Sequence, residues 1–175
     1  MEAIRRSIAS VPDFPKPGIL FRDITPLLGQ PEAFQQALKA LEEHVRPWAP
    51  DRIAAIESRG FLFGLPLALA LGIGFVPIRK PGKLPRETLR EGYELEYGAS
   101  YLEVHVDALR SGERVVVVDD LLATGGTAAA AGRLVTRLGG MVAGFAFLIE
   151  LEGLRGRQRL EAFGAPVASL IRFEV

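Results

Sequence analysis

Residues 115–127, VVVVDDLLATGGT, constrain this chain more than any other stretch. Four β-branched residues in succession leave no polar face, so residues 115–118 read as a strand buried on both sides, the usual state in a parallel sheet. Asp119 and Asp120 stand at its carboxyl end, where open α/β sheets bind ligands. Thr124, Gly125, Gly126 and Thr127 then form a turn that feeds a helix predicted over 127–138. The first N–H groups of a helix have no acceptor within it and lie at the positive end of its dipole, so they make an anion site. The glycines let the backbone approach a phosphate closely, and the threonine hydroxyls add donors. N–H groups for a phosphate beside carboxylates for vicinal hydroxyls suit a sugar phosphate. An Asp-Asp pair between two apolar runs has no packing reason to exist. The two commoner nucleotide patterns, G-x-x-x-x-G-K-[ST] and G-x-G-x-x-G after a strand, are both absent.

At 175 residues the chain suits a single domain, one able to bury about 70% of its unfolded surface. A net charge of zero gives no bulk pull toward nucleic acid or membrane. With no cysteine there is no disulfide framework, thiol nucleophile or thiolate metal site, and His44 and His105 alone argue against a histidine-built zinc site. The first residues lack the apolar core of a signal peptide. The longest apolar stretch, 60–76, contains Pro66 and several glycines and is too short to span a bilayer. A soluble, cytoplasmic protein with no nucleic-acid or membrane partner is the expectation.

Along the chain, prolines at 12, 15, 17 and 26 predict an irregular segment over 10–29. Phe34, Leu38, Leu41 and Val45 form a helical stripe within 31–45. Strands are predicted at 52–56, 74–78, 141–150 and 167–172, helices at 60–71 and around 154–163, and a hairpin from 93–97 and 101–106. Strands alternating with helices give a doubly wound, mostly parallel α/β sheet with right-handed crossovers.

Two further loops carry chemistry. Glu57, Ser58, Arg59 and Gly60 follow a strand and open a helix, a second anion site with a guanidinium added. The bland reading is a surface pair between Arg59 and Glu57. From Arg79 to Arg90 the chain carries five basic residues against one acid, Glu87, a concentration of charge suited to an anion, although a solvated basic loop has the same composition. Arg59, Arg79 and Lys83 together suit a diphosphate. Glu94 and Glu96 alternate with Tyr93, Leu95 and Tyr97, which by itself reads as an exposed strand face, and His105 reads as a structural strand residue.

The whole pattern resembles the type I phosphoribosyltransferases, in their adenine-using branch. The matching stretches are PDFPKPGILFRDITPLL, ESRGF, RKPGKLPRETL, YELEYG and VVVVDDLLATGGT, in the family's order and over almost the whole chain. The resemblance implies transfer of a 5-phosphoribosyl group from phosphoribosyl diphosphate to N9 of adenine with Mg²⁺, giving AMP and diphosphate, in a protein that is commonly a homodimer. Ala123, Thr124, Gly125, Gly126 and Thr127 would bind the 5-phosphate. Asp119 and Asp120 would hold the ribose hydroxyls and the water shell of the Mg²⁺, with no direct metal ligand expected. Ser58, Arg59, Arg79, Lys80 and Lys83 would take the diphosphate, and the Glu57–Arg59 peptides can be strained or cis. Relatives that use 6-oxopurines carry an Asp just before the T-G pair; Ala123 stands there, so the acid–base role passes to Glu96, with Tyr97 closing the site. Residues 1–30 would form a hood in which Leu20, Phe21 and Arg22 lie at the adenine, and 79–106 a mobile basic loop and hairpin. A ligand-sensing regulator on the same fold is the alternative class, although no helix-turn-helix segment precedes the sheet; another purine, such as xanthine, is the nearer enzymatic rival.

Overall fold

Prolines shape the start of the chain without preventing regular structure there. The computed structural model describes residues 1–94 and 99–174, Glu94 by its backbone alone. Two compact units divide the chain, Met1–Ala40 and Leu41–Val175. The first contains α1 (Glu2–Arg6), β1 (Ala9–Pro12), β2 (Leu20–Asp23) and α2 (Thr25–Leu28), and α3 (Pro31–Val45) runs on from it into the second. Where an irregular segment was expected, β1 and β2 pair antiparallel, from Ala9 opposite Asp23 to Pro12 opposite Leu20. The prolines sit where a missing N–H costs little: Pro12 ends β1, Pro15 and Pro17 lie in the connecting loop, and Pro26 is in the first turn of α2. Asp13 closes that loop by accepting the Gly18 N–H at 2.7 Å, and Phe14 meets Phe21 edge-on at 5.1 Å. Proline number alone overstated the irregularity, because its position decides the outcome.

The second unit adds β3 (Arg52–Ile56), α4 (Gly60–Leu71), β4 (Gly74–Ile78), β5 (Thr88–Glu94), β6 (Ala99–His105), β7 (Arg114–Leu122), α5 (Gly126–Arg137), β8 (Met141–Leu151), α6 (Gly156–Leu160) and β9 (Val167–Phe173). Five of these strands form one parallel sheet in the order β4-β3-β7-β8-β9. This is the α/β architecture that the alternating pattern predicts. Val115 to Val118 lie in the middle strand and have no exposed surface; burying each such side chain contributes about 1.5–3 kcal/mol of transfer free energy. Val115 and Val117 join a cluster with Ala128–Ala131, Leu134 and Val135 of α5, whose small side chains let the helix lie close to the sheet. The alternate positions face the other side, where α4 packs on β3 and β7.

β7 extends past the valines to Leu122, so both aspartates are strand residues rather than loop residues. The strand order reverses direction between β3 and β7: β4 lies outside β3 on one side, and β8 and β9 continue from β7 on the other. Such a reversal opens a crevice at the carboxyl ends of the two strands. β5 and β6 pair antiparallel from Thr88 opposite His105 to Glu94 opposite Ala99. Their connection, with Glu96 and Tyr97, lies outside the described residues. Among the described residues no helix is long and apolar enough to cross a membrane.

Candidate active site

β3 and β7 run side by side in parallel, with Ala55 beside Val118, so the loop that begins at Glu57 emerges next to Asp119. The Glu57–Ser58 peptide is cis. A cleft of about 390 Å³ opens there. Ser58, Arg59, Lys80, Asp119, Asp120 and Thr127 bring polar groups to it, while Ile56, Tyr93 and Leu102 supply an apolar wall. A second hollow of about 200 Å³ shares Arg59, Asp119, Asp120 and Thr127 and is otherwise lined by residues 121–128. The two hollows meet at the aspartate pair, one bordered by cations and the other by a backbone turn.

That turn is built as an anion cradle. Gly125 precedes α5 with φ of 77°, a left-handed conformation that glycine adopts without strain, and no side chain caps the helix. The first N–H groups of α5 therefore keep their donors for a ligand. Contacts from the last third of the chain support the turn. A Cβ on Gly125 would lie 2.6 Å from the Gly156 carbonyl oxygen, and a Cβ on Gly156 would run into the carbonyl oxygen of Ala123. Gly156 adjoins Arg157, whose guanidinium donates to both oxygens of Glu150 at 3.0 and 2.5 Å and to the Val167 carbonyl at 2.6 Å. Glu150 is buried, and lies beside Leu122 in the sheet. Sequence reading assigned nothing to these three residues. The pairing joins a strand end to a short helix seven residues later, and no local period marks it.

The aspartates are electrostatically stressed. Asp119 Oδ1 accepts the Asp120 N–H at 2.9 Å. It lies close to Gly60: a Cβ there would come within 2.9 Å of it and 3.0 Å of the Val118 carbonyl oxygen. Burial, reinforced by the neighbouring Asp120 charge, pushes the Asp119 carboxyl well above the ordinary carboxylate range. Burial also raises Asp120, although Arg59 opposes the shift through an ion pair at 2.7 Å. Glu57 pairs with Arg79 at 2.6 Å, a salt bridge that joins the strand-end loop to the basic loop.

The basic loop is held from below by Glu103, a buried carboxylate on β6. Its side chain accepts the Gly82 N–H at 3.0 Å and two donors of Arg90 at 2.9 and 2.7 Å, and its backbone exchanges two hydrogen bonds with Arg79. The Arg90 fork, helped by Gly82, holds the Glu103 carboxyl below its ordinary range against the cost of burial. Of the basic residues named from sequence, Arg59 and Lys80 line the cleft, whereas Arg79 and Lys83 are not among its described lining residues. Arg79 instead braces the loop, donating to Glu57 and to the Lys83 carbonyl. Leu20, Phe21 and Arg22 occupy β2 in the first unit, where Arg22 donates to Ser10 Oγ. Tyr93 and Leu102, treated from sequence as hairpin residues, are in the cleft wall. Among the described residues no three His, Cys, Asp or Glu side chains gather into a metal cage.

A parallel sheet with an uncapped helix turn and paired carboxylates at its reversal point suits a class of protein that holds a phosphorylated sugar. Comparison with known proteins agrees. The phosphoribosyl transferase domain matches residues 24–163. A protein of Shewanella amazonensis named adenine phosphoribosyltransferase is 56% identical over 171 residues, which is 98% of this chain and 94% of the relative. The crystal structure of adenine phosphoribosyltransferase from Thermoanaerobacter pseudethanolicus superposes with a TM-score of 0.95 at 55% identity, covering 98% of this chain and 99% of that one. That of the Saccharomyces cerevisiae protein, complexed with an imino-altritol bisphosphate and adenine, has a TM-score of 0.91 at 44% identity and covers 97% of each chain. The chain belongs to the phosphoribosyltransferase family, in the branch whose members are named adenine phosphoribosyltransferase.

Proposed function

We propose that this protein transfers the 5-phosphoribosyl group of phosphoribosyl diphosphate to N9 of adenine, releasing AMP and diphosphate in purine salvage. The observation that carries this reading is the aspartate pair shared by two hollows, with a backbone phosphate cradle on one side and Arg59 and Lys80 on the other. The 5-phosphate seats on the turn from Ala123 to Thr127, at the positive end of α5. Asp119 and Asp120 accept the ribose hydroxyls, fixing the sugar with C1 toward the larger cleft. Ser58, Arg59 and Lys80 receive the diphosphate, and Arg79 and Lys83 hold the loop that presents Lys80.

As the bond from C1 to diphosphate breaks, its electron pair leaves on the diphosphate and positive charge develops on the ribose. The cationic side chains stabilise the departing charge most where water is excluded. The N9 lone pair then bonds to C1, and Glu96 accepts the proton that adenine sheds at N7. Two carboxylates raised toward their neutral form also suit Mg²⁺ held through water and substrate oxygens, because a cation there relieves their repulsion. When bound, the ion would supply further neutralisation of the diphosphate.

The test is a panel of bases incubated with phosphoribosyl diphosphate and Mg²⁺. Adenine should give AMP and diphosphate, with little turnover of hypoxanthine, guanine or xanthine. Equal turnover of hypoxanthine would remove the adenine assignment and the inference from Ala123.

The working form is proposed to be a pair of copies. Leu62, Leu65 and Leu69 lie along one outer face of α4 and are 40%, 47% and 74% exposed. A helix apolar on both its inward and outward faces usually has a partner on each. Leu65→Glu should shift the mass measured by light scattering from two chains toward one; an unchanged mass would move the interface elsewhere.

A further inference from the structure

We propose that Glu91, gripped by Arg133 and Arg137, is a positioning residue that fixes the hairpin stem on the phosphate-binding helix and so sets Tyr93 in the wall of the active-site cleft. The inference rests on the site reading above.

Leu89, Glu91 and Tyr93 alternate along β5 and so share one face of the strand. Leu89 and Tyr93 pack on the core, yet between them this face carries a carboxylate whose side chain is only 18% exposed. An apolar residue would suit that position without desolvating a charge. Two guanidiniums answer it. Arg133 donates to Glu91 Oε1 at 2.7 Å and to the Gly92 carbonyl at 3.1 Å. Arg137 donates to Glu91 Oε2 at 2.7 Å and to the Arg90 carbonyl at 2.7 Å. Both carboxylate oxygens and the backbone carbonyls on either side of Glu91 are thus read by one helix. The two arginines hold the Glu91 carboxyl below its ordinary range despite the cost of burial.

This arrangement specifies register. Sliding β5 by two residues would keep the apolar face roughly inward, but it would separate Glu91 from both arginines. A hollow of about 320 Å³ lies beside the clamp, among Gly92, Tyr93, Gly126, Ala129, Arg133 and Arg159. Gly126, Ala129, Arg133 and Arg137 follow one another along a single face of α5. The helix whose first turn cradles phosphate therefore carries, two to three turns on, the clamp for the strand that bears Tyr93. The contacts continue on the far side: the Arg90 side chain forks onto Glu103, which holds Gly82 of the basic loop. Glu91 stands where these contacts cross.

The experiment compares Glu91→Gln and Arg137→Met with the unaltered protein by steady-state kinetics, thermal unfolding and amide hydrogen exchange. A misplaced wall should lower kcat by about 10- to 100-fold with little change in the KM for adenine, and exchange should quicken over residues 88–94. Arg137→Met leaves the Arg133–Glu91 pair intact, so it decides the matter if Glu91→Gln does not fold. A lower melting temperature with kcat, both KM values and exchange unchanged would reduce the clamp to a structural pair and overturn the proposal. Exchange is independent of the assigned reaction. If the unaltered protein transfers nothing to adenine, the functional reading fails, and quickened exchange still supports the clamp whereas unchanged exchange overturns it.

Discussion

Asp119→Asn is expected to lower turnover by roughly 100-fold while raising the melting temperature. The two effects have one cause. Asp119 lies against Gly60 and beside a second carboxylate, and its carboxyl is raised well above the ordinary range. The folded chain therefore binds this proton more tightly than the unfolded chain does. Its contribution to stability is fully present below the ordinary carboxylate pKa and is lost as pH rises through the raised folded value. Asparagine keeps the shape, removes the charge and ends that loss, so the stability gap over the unaltered protein should widen as pH increases through this interval. The same change removes a carboxyl acceptor for the ribose hydroxyls and a partner for a cation. Active sites commonly sacrifice stability in this way. Asp120→Asn should stabilise less, since Arg59 already offsets part of its charge. Thermal unfolding across a pH series, beside initial rates, tests the claim; an Asp119→Asn variant less stable at every pH would show that the aspartate pair is not strained.

Glu96→Leu is expected to reduce kcat by about 10²- to 10⁴-fold, the range for a lost general acid or base. By the resemblance, Ala123 stands where relatives using 6-oxopurines carry an acid, and the structure places it in the turn before α5 with its carbonyl oxygen packed on Gly156. Among the described residues that line the two hollows, Asp119 and Asp120 are engaged with each other and with Arg59, and Glu57 with Arg79. The resemblance gives the proton acceptor for adenine as Glu96, on the hairpin whose stem residue Tyr93 lines the cleft. Near-normal kcat in the leucine variant would assign the proton transfer elsewhere. A fall in kcat with little change in the KM for phosphoribosyl diphosphate would place the loss in the chemical step.

Much of the scaffold was legible because its signals are local. The strands at Arg52–Ile56 and Gly74–Ile78 and the helix at Gly60–Leu71 have the bounds predicted for them, each being marked by an apolar run with a glycine or charge at its ends. The aspartates and the T-G-G-T turn are contiguous in sequence, so one stretch marked the residues that line both hollows. The first forty residues were harder. Four prolines suggested an irregular segment, yet those at 12 and 26 sit at element ends and a two-stranded hairpin forms. Arg79 illustrates a second limit. Its charge was visible and was read as a diphosphate ligand, but only packing shows that Glu57 engages it.

What the sequence determined by itself was therefore the parallel sheet, the anion turn and the paired acids, because each is written in neighbouring residues and follows from burial, backbone freedom and charge. Only the tertiary structure decided which partner each charge has. Arg59, in the loop after β3, meets Asp120 near the end of β7, far away along the chain. Glu103 holds Gly82, Arg157 holds Glu150 beside the Gly156 that packs on the turn before α5, and Arg133 and Arg137 converge on Glu91. Ion pairs of this kind have no periodicity, and any arginine in the chain could in principle meet any acid. The sheet order and helix packing choose among them, and that choice turns a recognisable motif into a cleft with a strained carboxylate pair at its centre.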